Sequence, residues 1–482
     1  MMLLGSCLAL STQTLIQQNK DVILARWGLS ELESLYLVNS TRVSTARLVA
    51  RLVEKITIKE KFVMTFTGTS ITVGRDSYVS QAYPEVFRSQ LAPVFASLGI
   101  ELVVSNAAQG LNPVVPYNLC LETFVGDDND VVSWEQLHMC QTPHLCVEDF
   151  VRRTSMLPNN PIPIVIDALT NPLSSGKTFS IYKDLFSKVN GSMDLLQHYQ
   201  ELGLHFVLGM FAISENSENQ RFSFDNLMQN GKLLKTPHPF HPGPHGHQLI
   251  ADILSLHYMT AIEKAVTMLN QNAGSLASLK FSSILPQMLW KSEQIFSRIP
   301  QCITSYEPKQ MKRMELSLYL HNSSFSSLMM LNRDDHLLEI KSPKHFFNVL
   351  SREAWNLNLW PIDVSGVSKS LKYEAGYLDR KYTLSAVSTA GSLHLDLTFR
   401  EPGPLIICEP RPPNNIIPRG FSLVSIFDAV VAEVDSIPLN LSQYAGSHCL
   451  ISDNFLDSGR HVLSLKSIAE SRFFGISHII FP

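Results

Sequence analysis

Read for the spacing of apolar positions, the chain opens on a short apolar stretch, Met1 to Leu10, and next shows Ala46, Leu48, Val49 and Val53 at helical spacing between Ser44 and Glu54. Lys61 to Thr67 predicts a short buried strand ending in a turn at Gly68-Thr69-Ser70. A helix follows through Tyr83 to Leu98, with Pro84 in its first turn, and Ile100 to Val104 is again a strand. The alternation continues with Asp130 to Trp134 (strand), Val147 to Thr154 (helix), Pro163 to Ala168 (strand), Met193 to Leu202 (helix), Leu204 to Met210 (strand) and His247 to Met268 (helix). Such alternation predicts a parallel sheet covered by helices on both faces, an α/β domain over residues 44–270.

After Leu276 the texture changes to short runs between turn residues: Met314 to Leu320, Ser392 to Phe399, Leu405 to Cys408, Ser422 to Phe427 and His461 to Leu465. Within Ser392 to Phe399, Leu393, Leu395, Leu397 and Phe399 fall on one face, the period-two pattern of a strand with one side buried. A β-sandwich or jelly roll over 271–482 fits this half. The polar stretch Asn270 to Ser278, with Gly274, marks the boundary, and Asn230-Gly231 to Pro239 is a second loop-like stretch. No internal repeat is present.

Composition narrows the classes. With 45% hydrophobic and 17% charged residues the chain carries enough apolar material for a sizeable core, which excludes disorder and collagen-like repeats. A net charge of −4 without a basic run removes the electrostatic footprint of a nucleic-acid binder. The N-terminal segment, residues 1–43, begins MMLLGSCLAL, which lacks a basic n-region and falls short of the ~20 apolar residues that span a bilayer. It reads as a signal remnant, as the start of a truncated gene model, or as an ordinary buried segment, and no strong membrane segment is expected elsewhere. Apart from Cys7 there are six cysteines, Cys120, Cys140, Cys146, Cys302, Cys408 and Cys449, without the C-x-x-C spacing of structural zinc. Their even number permits disulfides in a secretory compartment. Glycosylation sequons stand at Asn39, Asn190, Asn322 and Asn440. The oligomeric state is not specified.

Four blocks follow one another in order: Gly68-Thr-Ser-Ile-Thr-Val-Gly74, Asn106-Ala-Ala-Gln-Gly110, Asp130-Val-Val-Ser-Trp-Glu-Gln136, and His238-Pro-Phe-His-Pro-Gly-Pro-His-Gly-His247. This order and spacing resemble the SGNH, or GDSL-type, hydrolase family over most of residues 61–260. The resemblance implies a flavodoxin-like, three-layer parallel-sheet domain and a serine ester hydrolase without metal or cofactor. Ser70 takes the nucleophile's place, with Thr69 in the Asp position of Gly-Asp-Ser. Gly110 matches the glycine whose amide, with that of Ser70, lines the oxyanion hole. His241-Pro242, Gly246-His247 and Ile250-Ala251 fill the slots of the last block, so His241 is the general base. A hydroxyl at its ordinary pKa is a poor nucleophile and needs such a base within hydrogen-bond reach.

Two positions depart from the pattern. His238 stands where the family has its triad carboxylate, as an orienting group or a metal-competing one, and loss of that carboxylate costs triad enzymes about 10⁴ in kcat. Met139 falls at the third oxyanion donor, normally Asn; methionine cannot donate, and one lost donor costs about 10²–10³. Asn106 or Asn112 is the available substitute. The expected activity is therefore ester hydrolysis on an acylated small molecule or glycan, the glycan suggested by an appended β-sandwich. The alternative is a degenerate relative that binds glycan or a protein partner. Four imidazoles between His238 and His247 also suit zinc or nickel, but the prolines and the filled family slots account for the segment without metal.

The Asp127-Asp128-Asn129-Asp130 cluster lacks EF-hand spacing and reads as a solvated turn. Glu135 reads as a capping or structural residue, and Trp355, Trp360 and Tyr377 as packing aromatics or as platforms for sugar rings. Uncharacterised algal and protist proteins with a C-terminal β-rich region look similar at Gly68 to Asp76, Tyr83-Pro84, Trp134-Glu135-Gln136 and Tyr377 to Lys381. This similarity implies a eukaryotic protein of the secretory pathway or the cell exterior. Cys408 and Cys449 are placed to pair across neighbouring strands.

Overall fold

The computed structural model describes residues 2–28, 45–110, 114–140, 143–168, 195–207, 223–228, 241–271, 285–289 and 300–304, a few single positions apart, and from 349 onward the strands named below with their adjoining turns. The chain divides into two compact units. The first comprises Met1–Gly110, Asp127–Lys291 and Gly366–Leu378; the second comprises Leu111–Gly126, Ser292–Ser365 and Asp379–Pro482. The units interleave along the sequence.

In the first unit the elements are α1 (Met2–Trp27), α2 (Ala46–Ile58), β1 (Phe62–Gly68), α3 (Ser70–Val73), α4 (Tyr83–Ser97) and β2 (Leu102–Asn106). The chain then passes through α5 (Val114–Leu119) and α6 (Leu121–Val125), which belong to the second unit. It returns with β3 (Val131–Glu135), α7 (Pro143–Met156), β4 (Ile162–Ile166), α8 (Leu195–His198), β5 (His205–Val207), α9 (Phe224–Met228) and α10 (Pro244–Gln271). The five strands pair in parallel in the order β2-β1-β3-β4-β5. That is the doubly wound order of flavodoxin-like folds, whose ligand crevice lies at the carboxyl ends of the strands where the order reverses, beside β1 and β3. Every residue of β1 is buried, as a central parallel strand requires.

One face of the sheet, with Phe62, Met64 and Phe66, packs under α2, α4 and α10 in a core that includes Phe87, Phe95 and Tyr258. On the other face Trp134 stacks on Phe150 of α7, with ring centroids 5.5 Å apart. Helix, sheet and helix make three layers. The observed strands lie close to the predicted runs, whereas α7 begins at Pro143, ahead of Val147, because its first turn carries polar residues that hide the period. Of the Asp127 to Asp130 cluster, only half is solvated. Asp127 is exposed and Asp128 pairs with Lys61 at 2.8 Å, but Asn129 and Asp130 are buried. Asp130 accepts from Val63 N at 2.8 Å and faces Arg51 Nη1 at 3.2 Å, which ties α2 to the start of β1.

The apolar N-terminal stretch continues into a long helix. Ile16, Ile23 and Trp27 of α1 enter the same core as the sheet. Its end is fixed by Asp252 of α10, a fully buried carboxylate. Asp252 accepts from Arg26 Nη1 at 2.5 Å, Trp27 Nε1 at 2.6 Å, Gln90 Nε2 at 2.5 Å and Gln248 Nε2 at 2.8 Å. Removing the carboxylate leaves the buried indole N–H of Trp27 and three part-buried donors without this acceptor, at a cost of about 1–3 kcal/mol for a buried donor and less for the others. Asp252→Ala is therefore expected to lower stability by about 3 kcal/mol or more, with Asp252→Asn intermediate, and urea unfolding midpoints check it. An unchanged midpoint would show that α1 is not held this way.

Two buried histidines of α10 make stability depend on pH. Burial lowers His247 to about 3, with nearby His241 adding to the shift, and lowers His257 to about 4. Both rings are neutral when folded, while unfolded histidines titrate near about 6.5. Their contribution is whole above that value and declines as pH falls through the window down to the folded values, by about 2 kcal/mol for each ring at pH 5. The carboxyls of Glu85 and Asp130, raised by burial, act in the opposite sense where they titrate. Thermal unfolding is expected to move to lower temperature between pH 7 and pH 5, and substitution of His257 by an apolar residue to flatten that slope.

In the second unit the strands are β6 (Gln301–Thr304), β7 (Val349–Arg352), β8 (Trp355–Trp360), β9 (Lys381–Ala386), β10 (Ser392–Phe399), β11 (Ile406–Cys408) and β12 (Ser422–Leu423). They continue with β13 (Val430–Val434), β14 (Ile437–Pro438), β15 (Leu441–Gln443), β16 (Cys449–Ser452), β17 (Gly459–Ser467), β18 (Arg472–Ile476) and β19 (His478–Phe481). Two five-stranded sheets, β14-β13-β17-β10-β7 and β15-β16-β11-β19-β6, share one core. Leu393, Leu395, Leu397 and Phe399 enter it from the first sheet, as their period-two spacing predicts, and Ile407, Leu450, Ile479 and Phe481 from the second. This is a β-sandwich. A third sheet, β12-β18-β9-β8, completes the unit. Met314 to Leu320, Tyr377 and the side chains of Trp355 and Trp360 lie outside the described residues.

The six cysteines singled out by sequence form three disulfides: Cys120–Cys302, Cys140–Cys146 and Cys408–Cys449. Cys408 and Cys449 are direct register partners of β11 and β16. Cys120–Cys302 holds the α5–α6 segment within the second unit, where Thr123 Oγ1 also donates to the Cys302 carbonyl at 3.2 Å and Phe124 meets His478 edge-on. Among the described residues, no helix is long and apolar enough to cross a membrane.

Candidate active site

The site begins at the end of β1. Gly68 is required there by close approach: a Cβ on it would lie 2.2 Å from Thr72 Oγ1 and 3.0 Å from Glu135 Cβ. The chain then turns into α3, with Thr69 as N-cap in extended conformation and its hydroxyl accepting from Ile71 N at 3.4 Å. Ser70 is the first helical residue and half-buried. Its amide is among those at a helix start that have no intrahelical acceptor. Gly74, at φ 85°, ends the short helix in the left-handed region that favours glycine.

His241 comes to this turn from the far end of the unit. It precedes α10 in a segment held by Gly243 N donating to Leu227 O of α9 at 2.9 Å and by Ser77 Oγ donating to Pro242 O at 3.4 Å. The ring is nearly buried and its Nε2 lies 2.8 Å from Ser70 Oγ. This is the hydrogen bond that a hydroxyl and its base need for proton transfer. His247, one turn into α10, is not a second base: its Nδ1 accepts from Tyr83 N at 3.3 Å inside the core. His238 lies outside the described residues.

The turn carrying Ser70 is fixed from β3. Glu135, 1% exposed, accepts at Oε2 from Thr69 N at 3.1 Å, Thr69 Oγ1 at 2.8 Å and Thr72 Oγ1 at 3.0 Å. Its other oxygen faces His138 Nδ1 at 3.3 Å. The structural reading of Glu135 from sequence thus becomes a specific one: it is the acceptor on which the turn carrying Ser70 rests. Its signal in the sequence was the pair of hydroxyls at Thr69 and Thr72 opposite an acid ending the neighbouring strand. From the other side, Asn106 Nδ2 donates to Thr72 O at 2.7 Å while its Oδ1 accepts from Ala108 N at 3.2 Å. Asn106 therefore holds the turn. Asn112 lies outside the described residues.

Ala107 N donates to Phe66 O at 2.8 Å and Gln109 N to Gly68 O at 3.0 Å, so the pairing with β1 runs on past β2 and delivers the buried Gly110 to the same edge of the sheet. Met139 ends a 3-10 turn after β3 and is half-buried, and Cys140–Cys146 staples the chain beyond it. The Ser70 turn, the glycine block and the end of β3 thus meet at the switch point of a 2-1-3-4-5 sheet, in the order of the first three sequence blocks. The first unit has a flavodoxin-like, three-layer parallel-sheet fold.

Comparisons with known proteins give likeness of structure only. The chain matches no protein-family model and no curated protein. Among solved structures it is similar to a two-domain esterase active on acetylated mannans, at 12% identity, covering 91% of this chain and 96% of that one with a TM-score of 0.49. It is also similar to a family 3 carbohydrate esterase of Clostridium thermocellum, at 12% identity, 42% of this chain, 99% of that one and a TM-score of 0.30. A third is the psychrotrophic esterase EstA of Pseudoalteromonas sp., at 13% identity, 43% of this chain, 98% of that one and a TM-score of 0.27.

Proposed function

We propose that the SGNH-type unit is a serine ester hydrolase, and the observation that carries this reading is the 2.8 Å approach of Ser70 Oγ to His241 Nε2. Ser70 Oγ attacks the ester carbonyl carbon while its proton passes to His241 Nε2. The carbonyl oxygen becomes an oxyanion at the amides of Ser70 and Gly110, in a setting where donors fixed in advance stabilise developing charge. Collapse expels the alcohol, which takes the proton from His241. Water then enters by the same path and releases the acid, restoring the hydroxyl. No metal or cofactor enters these steps.

The substrate class proposed is an acylated glycan, because a β-sandwich joined to such a unit suits a polymer better than a small ester; this step rests on fold analogy. Three disulfides suit a chain that matures in an oxidising compartment, the secretory pathway or the cell exterior. A half-buried methionine at the family's third donor position favours the rival reading, a degenerate unit that binds a glycan without cleaving it. A fluorophosphonate probe decides between them. Labelling of the wild-type chain at Ser70, with acetate released from an acetylated polysaccharide, is expected; an unlabelled, folded wild type would overturn the enzymatic reading.

A further inference from the structure

Asn440-Leu441-Ser442 has the Asn-x-Ser pattern of an N-glycosylation acceptor, a pattern that by chance alone occurs often. Asn39, Asn190 and Asn322, the other three, lie outside the described residues. At Asn440 the structure adds what the pattern lacks. The residue stands in the connection between β14 and β15, exposed, and Ser442 is exposed with it. Its carbonyl accepts from Asp453 N at 3.0 Å, which holds the backbone in place. Its side-chain amide makes no hydrogen bond among the described residues, so an attached sugar would break none of those contacts.

The surroundings give such a sugar something to do. Among the described residues β14 is the edge of one sheet of the sandwich and β15 the edge of the other, so this connection joins two edges that no described strand covers. Ile437, on β14, is 68% exposed, and Phe455, two residues beyond the Asp453 that bonds Asn440, is 70% exposed. An open edge beside exposed apolar side chains is a template for pairing with another chain, which proteins cover or blunt. A glycan is bulky and solubilising. The compartment is indicated separately: Cys449 of β16, the strand paired to β15, is bonded to Cys408. Chains that keep disulfides mature where glycans can be attached.

We propose that Asn440 is an N-glycosylation site whose glycan covers the β14–β15 edge of the sandwich. The proposal is independent of the esterase reading. Its test is the full chain, behind a cleavable secretory leader, produced in a glycosylating eukaryotic host and treated with peptide-N-glycosidase in heavy-oxygen water. The peptide holding residue 440 is expected as heavy-oxygen aspartate in the wild type and not in Ser442→Ala. Recovery of that peptide with unmodified asparagine from folded, disulfide-bonded protein would overturn the site. For the covering role, Asn440→Gln and Ser442→Ala are each expected to lower several-fold the concentration at which the chain stays monomeric in light scattering. If both variants stay monomeric to the concentration the glycosylated chain tolerates, the covering role is wrong.

Discussion

Ser70→Ala is expected to reduce ester turnover by about 10⁴-fold or more while leaving the unfolding transition in place, because only the nucleophilic oxygen is removed. The hydroxyl is half-buried and, among the described residues, hydrogen-bonds the imidazole of His241, so the fold loses little with it. His241→Ala should fall by a similar factor, since a serine without its base stays protonated. The two act as a unit, and the double variant should be no worse than the worse of the single ones. Initial rates on an acetyl ester, with circular dichroism to confirm folding, provide the check. Turnover by Ser70→Ala within a few-fold of wild type would remove Ser70 from the reaction.

Glu135→Ala is the second large effect. One carboxylate oxygen receives the Thr69 amide and two hydroxyls, and the residue after Thr69 is Ser70, the proposed nucleophile. Deleting the acceptor strands the Thr69 amide and hydroxyl in the core, leaves Thr72 Oγ1 with Tyr83 Oη alone of its two side-chain partners, and lets the turn relax. A shift of about 1 Å in a nucleophile can cost 10²-fold in rate. We expect kcat to fall by about that factor with KM little changed, together with a loss of about 2–3 kcal/mol in stability. Glu135→Gln keeps an accepting oxygen at the same reach and should recover most of kcat. That rescue separates positioning of Ser70 from general damage; an alanine variant with normal kcat and lowered stability would leave Glu135 as a structural residue only.

What could be read before folding follows from how local each signal is. The strand-helix alternation and the period-two run from Ser392 to Phe399 depend on neighbours in sequence, and both appear where the pattern puts them. Ser70 and His241 are 171 residues apart, yet each lies in a recognisable block, so a resemblance brought them together before any distance was known. Glu135 was legible only as a structural acid, because its use depends on hydroxyls from another strand. The long helix α1 escaped because its polar positions do not gather on one side, and Asp252, which receives its end, lies 225 residues away from Trp27. Helices α5 and α6 are buried on nearly all sides, so they show no helical stripe.

The interleaving of the two units limits how the protein can be taken apart. A gene fragment beginning after Lys291 would encode every strand of the sandwich but none of residues 111–126. Cys302 would then carry a lone thiol, the Thr123 hydroxyl would no longer reach its carbonyl, and His478 would lose the ring of Phe124. Such a fragment is an incomplete body with a reactive sulfur and a bared apolar face, prone to stick to its own copies. A subcloned sandwich intended for sugar-binding assays needs the α5–α6 peptide grafted back onto it, or the whole chain with Ser70 silenced.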